Sequence, residues 1–133
     1  MYPITLTITI TLSCLPGGMP GSEHLRDNKV LQQLLLKQNT EGKLISAICA
    51  APAVALVPLG ILSNKKATCY PAAKFREMLQ KEFTVSTDAV VVDQNVITSQ
   101  GPGTSLKFSL ALVEALYGVE MKEKLSKEMC ADV

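Results

Sequence analysis

The sequence predicts an α/β sandwich with a largely parallel sheet, and three observations carry that expectation. Short apolar runs alternate with longer stretches of helical period along all 133 residues, with no linker, repeat or low-complexity tract between them. Residues 44–48, LISAI, show no polar alternation, as expected of a parallel strand covered on both faces. That run passes straight into Cys49 and then a helix start at Pro52, the direct strand-to-helix connection of such folds.

Composition narrows the class further. With 47% hydrophobic residues and a net charge of +1, the chain fits one globular domain, residues 1–133, with a sizeable core. The basic residues are spread rather than clustered, and aromatics are only 5% with no tryptophan, so nucleic acid is not an expected partner. The longest apolar run, 47–59, is too short for a bilayer span and holds two prolines, so no membrane insertion is expected; no signal peptide is expected either. Cysteines 14, 49, 69 and 130 have neither metal-ligand nor disulfide-framework spacing. They read as reduced thiols in a cytosolic or organellar compartment, with no metal and no cofactor expected.

In chain order, residues 4–12 alternate Ile and Leu with Thr, a strand with one apolar face. Residues 15–21, LPGGMPG, form a loop whose glycines allow backbone N–H groups to approach a ligand. Asp27 or Asn28 caps a helix in which Val30, Leu31, Leu34 and Leu35 make the apolar stripe. The 44–48 strand then reaches Cys49, with Ala47 and Ala51 two residues to either side. That small-x-nucleophile-x-small spacing suits a tight elbow that holds the thiol out from the sheet at a helix start. Cysteines so placed commonly ionise below the free value of about 8.5 and act as nucleophiles. The elbow alone is equally compatible with an inert buried cysteine.

Beyond the elbow, 60–65 reads as a turn and 66–69 as one more central strand, stopped by Pro71. A helix over 72–81 turns Phe75, Met78 and Leu79 inward. Residues 89–93 and 96–99 read as a hairpin-like extension at the sheet margin. The loop 101–104 leads to a helix over 105–117, apolar at Leu106, Leu110, Val113 and Tyr117 and ended by Gly118. A last amphipathic helix covers 121–129.

Three segments together, LPGGMPGSEHLRD at 15–27, SAICAAPA at 46–53 and TSQGPGTS at 98–105, resemble the ThiJ/PfpI superfamily on its parkinsonism-associated deglycase branch, in plant-like form. The ATCYPAAK segment at 67–74 falls where that family has its pocket-side loop, and the likeness runs from residue 15 to about 130. The resemblance implies a flavodoxin-like three-layer sandwich in which Cys49 is the oxidisable nucleophile and the amides of Gly18 and Ala50 stabilise an oxyanion. It places Gly17, Tyr70 and Pro102 at the pocket, Tyr70 standing where relatives often carry a histidine. A tyrosine there can hydrogen-bond a substrate but is a poor base at neutral pH.

The implied activity is glutathione-independent glyoxalase or protein deglycase chemistry on methylglyoxal-like aldehydes or glycated proteins, by a cytoplasmic or plastid protein that forms homodimers. The alternative is a redox-sensing or chaperone-like protein worked by oxidation of Cys49. His24 matches no catalytic position and reads as a solvated surface residue, and Cys69 as a core thiol in preference to a redox partner of Cys49. The family has two further βα units ahead of its Pro-Gly-Gly strand, of roughly 30 residues each. One of them carries a glutamate beside the cysteine. No residue here replaces it, since Glu23 reads as a surface or helix-start residue and Glu114 faces elsewhere on its helix. The expectation is therefore an N-terminally shortened family domain with residues 1–14 as an aberrant strand, impaired in turnover and prone to self-association; or an inactive shortened isoform.

Overall fold

The computed structural model describes residues 9–80 and 84–131. A four-stranded sheet runs in the order β1 (Leu12–Leu15), β2 (Leu44–Ile48), β6 (Val96–Ser99), β5 (Val90–Asp93). The first three are parallel and β5 is antiparallel to β6. In β2, the consecutive residues Ile45, Ser46 and Ala47 are all fully buried, and so are Ile97 and Ser99 of β6. Neighbouring residues of a strand point to opposite faces, so this sheet is covered on both sides: the flavodoxin-like layered arrangement that the continuous apolar run predicts.

Around it stand α1 (Gly21–Asp27), α2 (Lys29–Thr40), α3 (Ala73–Gln80), α4 (Ser105–Tyr117) and α5 (Val119–Glu128). The α2 helix is capped by Asn28, whose side chain accepts the Leu31 N–H at 2.9 Å. One core cluster joins Leu35 of α2, Ile45 and Ala47 of β2, Leu56, Ile61 and Leu62 beyond the elbow, and Phe75 and Leu79 of α3.

Several elements depart from the sequence reading. The Ile/Thr alternation at 4–12 lies mostly outside the described residues, and among the described residues the strand that pairs with β2 on this side is Leu12–Leu15. Its register, Leu15 opposite Ala47, brings the Gly-rich loop level with the elbow, a long-range fit that local alternation does not encode. The expected central strand at 66–69 is the two-residue β3 (Lys66–Ala67), which pairs with β4 (Thr84–Val85) in a separate small sheet. Further pairing is diverted to side chains: Asp93 takes the Lys66 N–H at 2.6 Å and Thr98 Oγ1 takes that of Thr68 at 3.0 Å. The 90–99 hairpin stands at one end of the sheet as expected, with β5 at the edge and β6 joining it to β2.

The apolar faces of two helices also shift. Val30 is 78% exposed, and α2 buries Leu35 and Gln38. In α4 the buried residues are Phe108 and Leu110, while Leu106 and Tyr117 face outward. Among the described residues, no helix is long and apolar enough to cross a membrane.

Candidate active site

Cys49 sits one residue past β2 with φ +66°, in the left-handed region where a residue with a Cβ is strained. Two hydrogen bonds hold it there. Its N–H donates to the Ser99 carbonyl at 3.0 Å, one step beyond the Ile48–Ser99 pair of the ladder, and its own carbonyl accepts the Tyr70 N–H at 2.8 Å. The chain then turns into one wide π-type turn over Pro52–Leu56, closed by the Val57 N–H on the Pro52 carbonyl, and a tighter turn over Val57–Leu59. The expected helix start at Pro52 is therefore present, but as a short irregular segment. Ala50 and Ala51 are buried, so the strained turn is packed from beneath while the cysteine stays partly exposed.

The Gly-rich loop meets this elbow backbone to backbone. A Cβ on Gly17 would stand 2.5 Å from the Cys49 Cβ and 2.8 Å from the Ile48 carbonyl oxygen, so no other residue fits unless the elbow moves. Gly18 follows with φ +88°, and its carbonyl accepts the Ser22 N–H at 2.9 Å. Among the described residues the N–H groups of Gly18 and Ala50 donate to no backbone carbonyl. They flank Gly17 and Cys49 in sequence.

Tyr70 forms the opposite wall. Its ring lies 3.4 Å from where a Gly101 Cβ would be and meets Phe75 edge-on at 6.4 Å, with Lys74 Nζ 4.7 Å over the Phe75 ring. Tyr70, Pro71 and residues 100–104, Pro102 among them, line a hollow of about 170 Å³. Cys49 is not in that lining but touches it through the Tyr70 N–H. A larger hollow of about 380 Å³ between β5, α4 and α5 is lined by Asp88, Val92, Lys107, Glu114 and Lys122 among others, and contains no residue of the elbow.

The structure thus joins Cys49, Gly17, Ala50 and Tyr70 directly and Pro102 through the Tyr70 hollow. His24 is exposed, as expected. Glu114 is ion-paired with Lys122 of α5, away from the cysteine. Glu23 lies in the first turn of α1, and among the described residues no carboxylate hydrogen-bonds to Cys49. Cys69 is 2% exposed, its Sγ 3.4 Å from the Tyr70 carbonyl. Burial pushes its thiol up to about 11, with Arg76 pulling the other way and nearby Cys49 adding to the rise.

Two residues of the site went unnoticed in the sequence. Ser99 Oγ lies 2.6 Å from Thr104 Oγ1 and donates to the Ala89 carbonyl at 2.8 Å, while Thr104 Oγ1 also accepts the Gly101 N–H at 3.1 Å. They fix the strand end that holds the Cys49 N–H. The signal available was a threonine three residues after a glycine at a turn, a capping pattern with no chemistry of its own.

Known proteins resemble this chain in sequence and in fold. The DJ-1/PfpI family profile matches residues 10–115. Protein DJ-1 homolog B of Arabidopsis thaliana is 46% identical over 115 residues, covering 86% of this chain and 26% of that protein. Glutathione-independent glyoxalase DJR-1.2 of Caenorhabditis elegans is 39% identical over 122 residues, covering 92% of this chain and 63% of that one. The crystal structure of Drosophila melanogaster DJ-1beta superposes with a TM-score of 0.86 at 36% identity, over 94% of this chain and 66% of that one. The chain therefore spans between about a quarter and two thirds of the length of these relatives.

Proposed function

The chain belongs to the DJ-1/PfpI family, and from that premise we propose that it acts on small α-oxoaldehydes of the methylglyoxal type through Cys49, without glutathione, or on the early adducts such aldehydes form on proteins. The observation that carries this reading is the strained, partly exposed Cys49 with the Gly18 and Ala50 amides beside it. Addition of the thiolate to the aldehyde carbon turns the carbonyl oxygen into an oxyanion, and backbone amides preorganised there stabilise that charge. Transfer of a proton from the hemithioacetal carbon to the adjacent carbonyl carbon yields a thioester, which water hydrolyses to the hydroxy acid and free thiol. The hollow at Tyr70 is about 170 Å³, below the roughly 300 Å³ at which drug-sized pockets begin, which favours a substrate of a few heavy atoms or one displayed on a protein surface.

Turnover by this chain is weak in the same reading. A positioned acid–base group contributes typically 10²- to 10⁴-fold, and no carboxylate among the described residues bonds to Cys49. The reading carries with it the homodimer of the family and a reducing compartment, cytoplasm or plastid, the second supported by four free cysteines. A second reading, redox sensing with partner binding as its output, is favoured by the partial exposure of the same thiol. Lactate formation from methylglyoxal by the purified chain, with Cys49→Ser as control, tests the proposal. Slow turnover abolished by the substitution supports it; turnover that survives the substitution, or none above the uncatalysed rate, overturns it.

A further inference from the structure

We propose that Cys69 is a resolving thiol for Cys49: after a hydroperoxide oxidises Cys49 to the sulfenic acid, the Cys69 sulfur closes an intramolecular disulfide beneath the elbow. This rests on the reading of Cys49 as the reactive nucleophile. Its own support is geometric. The Tyr70 N–H that donates to the Cys49 carbonyl at 2.8 Å belongs to the peptide bond made by Cys69. The two cysteines therefore sit on either side of a single backbone hydrogen bond, with α-carbons roughly 5–7 Å apart by standard bond lengths. Disulfides bridge α-carbons about 4.4–6.8 Å apart.

Cys69 also belongs to the core cluster that contains Ala50 and Ala51, the two residues after Cys49. Burial is the main reason the Cys69 thiol is raised, and the charge of nearby Cys49 adds to the rise. The other two cysteines are placed differently: Cys14 is exposed on β1 and Cys130 is exposed beyond α5. Cys69 is a buried thiol that aldehyde chemistry leaves without a task.

The steps balance. The Cys49 thiolate attacks one peroxide oxygen, the O–O bond breaks, and the leaving oxygen takes a proton to depart as water or alcohol. The Cys69 thiolate then attacks the sulfenic sulfur, the S–S bond forms, and hydroxide leaves with the proton Cys69 gave up, as water. The peroxide gains two electrons and each sulfur supplies one. An external dithiol reopens the bond. Burial keeps Cys69 protonated and out of reach of the oxidant, so the order of events is fixed: Cys49 reacts first and Cys69 second. The consequence is that Cys49 leaves the oxidation ladder before the irreversible sulfinic step.

The test uses the whole chain with Cys14→Ser and Cys130→Ser, treated with a several-fold excess of hydrogen peroxide, enough for both the sulfenic and the sulfinic step, then alkylated and digested with trypsin without reduction. Cleavage after Lys65 and Lys66 puts the two remaining cysteines in separate peptides. The expected result is a disulfide-linked pair of those peptides. In Cys69→Ala the product becomes Cys49 sulfinic acid, raised by about tenfold or more over the parent. A parent chain that forms sulfinic acid at Cys49 as readily as Cys69→Ala, with no linked peptide, overturns the proposal. Where Cys69→Ala does not fold, the presence or absence of the linked peptide in the parent decides alone. Oxidation that spares Cys49 altogether overturns instead the nucleophile reading beneath it.

Discussion

A Cβ added to Gly17 would lie 2.5 Å from the Cβ of Cys49, closer than two carbons approach without displacement, so loop and elbow share a space with room for one side chain. The neighbouring Gly18 is constrained differently: its φ is +88°, yet nothing lies within 4 Å of an added Cβ. One glycine is required by contact and the other by backbone conformation.

This difference separates two alanine substitutions. Gly17→Ala pushes on the Ile48 carbonyl and the Cys49 side chain, costs about 1–3 kcal/mol as overpacking, and changes the rate of Cys49 alkylation. Gly18→Ala costs about 1–2 kcal/mol of backbone strain but leaves the thiol in place. Urea denaturation and iodoacetamide kinetics on both variants measure the two effects. Equal alkylation rates in Gly17→Ala and the parent would show that the elbow yields without disturbing the cysteine.

Tyr70 serves as a wall rather than a base. Its ring is fixed by Phe75 and by the absent side chain at Gly101, and among the described residues its hydroxyl makes no hydrogen bond. Tyr70→Phe therefore keeps the methylglyoxal rate within about twofold, because proton transfer by a catalytic group contributes about a hundredfold or more. A loss of that larger size in steady-state assays would give the hydroxyl a chemical role.

Thr104 braces the site from behind. Its hydroxyl serves the Ser99 hydroxyl and the Gly101 N–H together, and Ser99 supplies the carbonyl that holds the Cys49 N–H. Thr104→Val keeps the shape but leaves the Gly101 N–H unpaired and the Ser99 hydroxyl with only its bond to the Ala89 carbonyl, at a cost of about 1–3 kcal/mol. Thr104→Ser retains the hydroxyl and loses less than half of that. The ordering of the two variants in thermal or urea unfolding is the check.

What was legible in the sequence follows from which signals are local. Residues 44–48 announce a doubly covered strand because burial on both faces removes alternation, and Ile45, Ser46 and Ala47 are indeed all buried. Asn28 as a cap and Gly118 as a helix end are decided within a few residues and were readable. The partner of β2 was not. Little in LSCL at 12–15 marks a strand locally, and its pairing is set by the register that brings the Gly17 loop to Cys49. Likewise Lys66 and Thr68 have strand-like neighbours, yet side chains of Asp93 and Thr98, about thirty residues away, intercept their N–H groups. The Ser99–Thr104 pair is invisible for the same reason: its value comes from what Ser99 does for a cysteine fifty residues earlier.

The last prediction concerns alkaline stability and follows from Cys69. Its thiol is raised to about 11 in the folded chain, chiefly by burial, whereas an unfolded cysteine ionises near 8.5. Below pH 8 both states carry the proton and the group adds no pH dependence. Between about pH 8.5 and 11 the unfolded chain releases the proton while the folded chain retains it, so unfolding becomes more favourable as pH rises. Stability contributed by the neutral thiol is thus present below the unfolded value and lost as pH climbs toward the folded one. The loss approaches about 3 kcal/mol at the upper end, one pH unit being worth about 1.4 kcal/mol. Cys69→Ala, with no proton to release, is less stable than the parent at pH 7 from its lost packing and flatter with pH above 8.5. Urea midpoints of both proteins at half-unit steps from pH 7 to 10.5, under a reductant, trace the two curves. Parallel curves would mean that Cys69 ionises alike in both states and is not sealed in the core beneath the elbow.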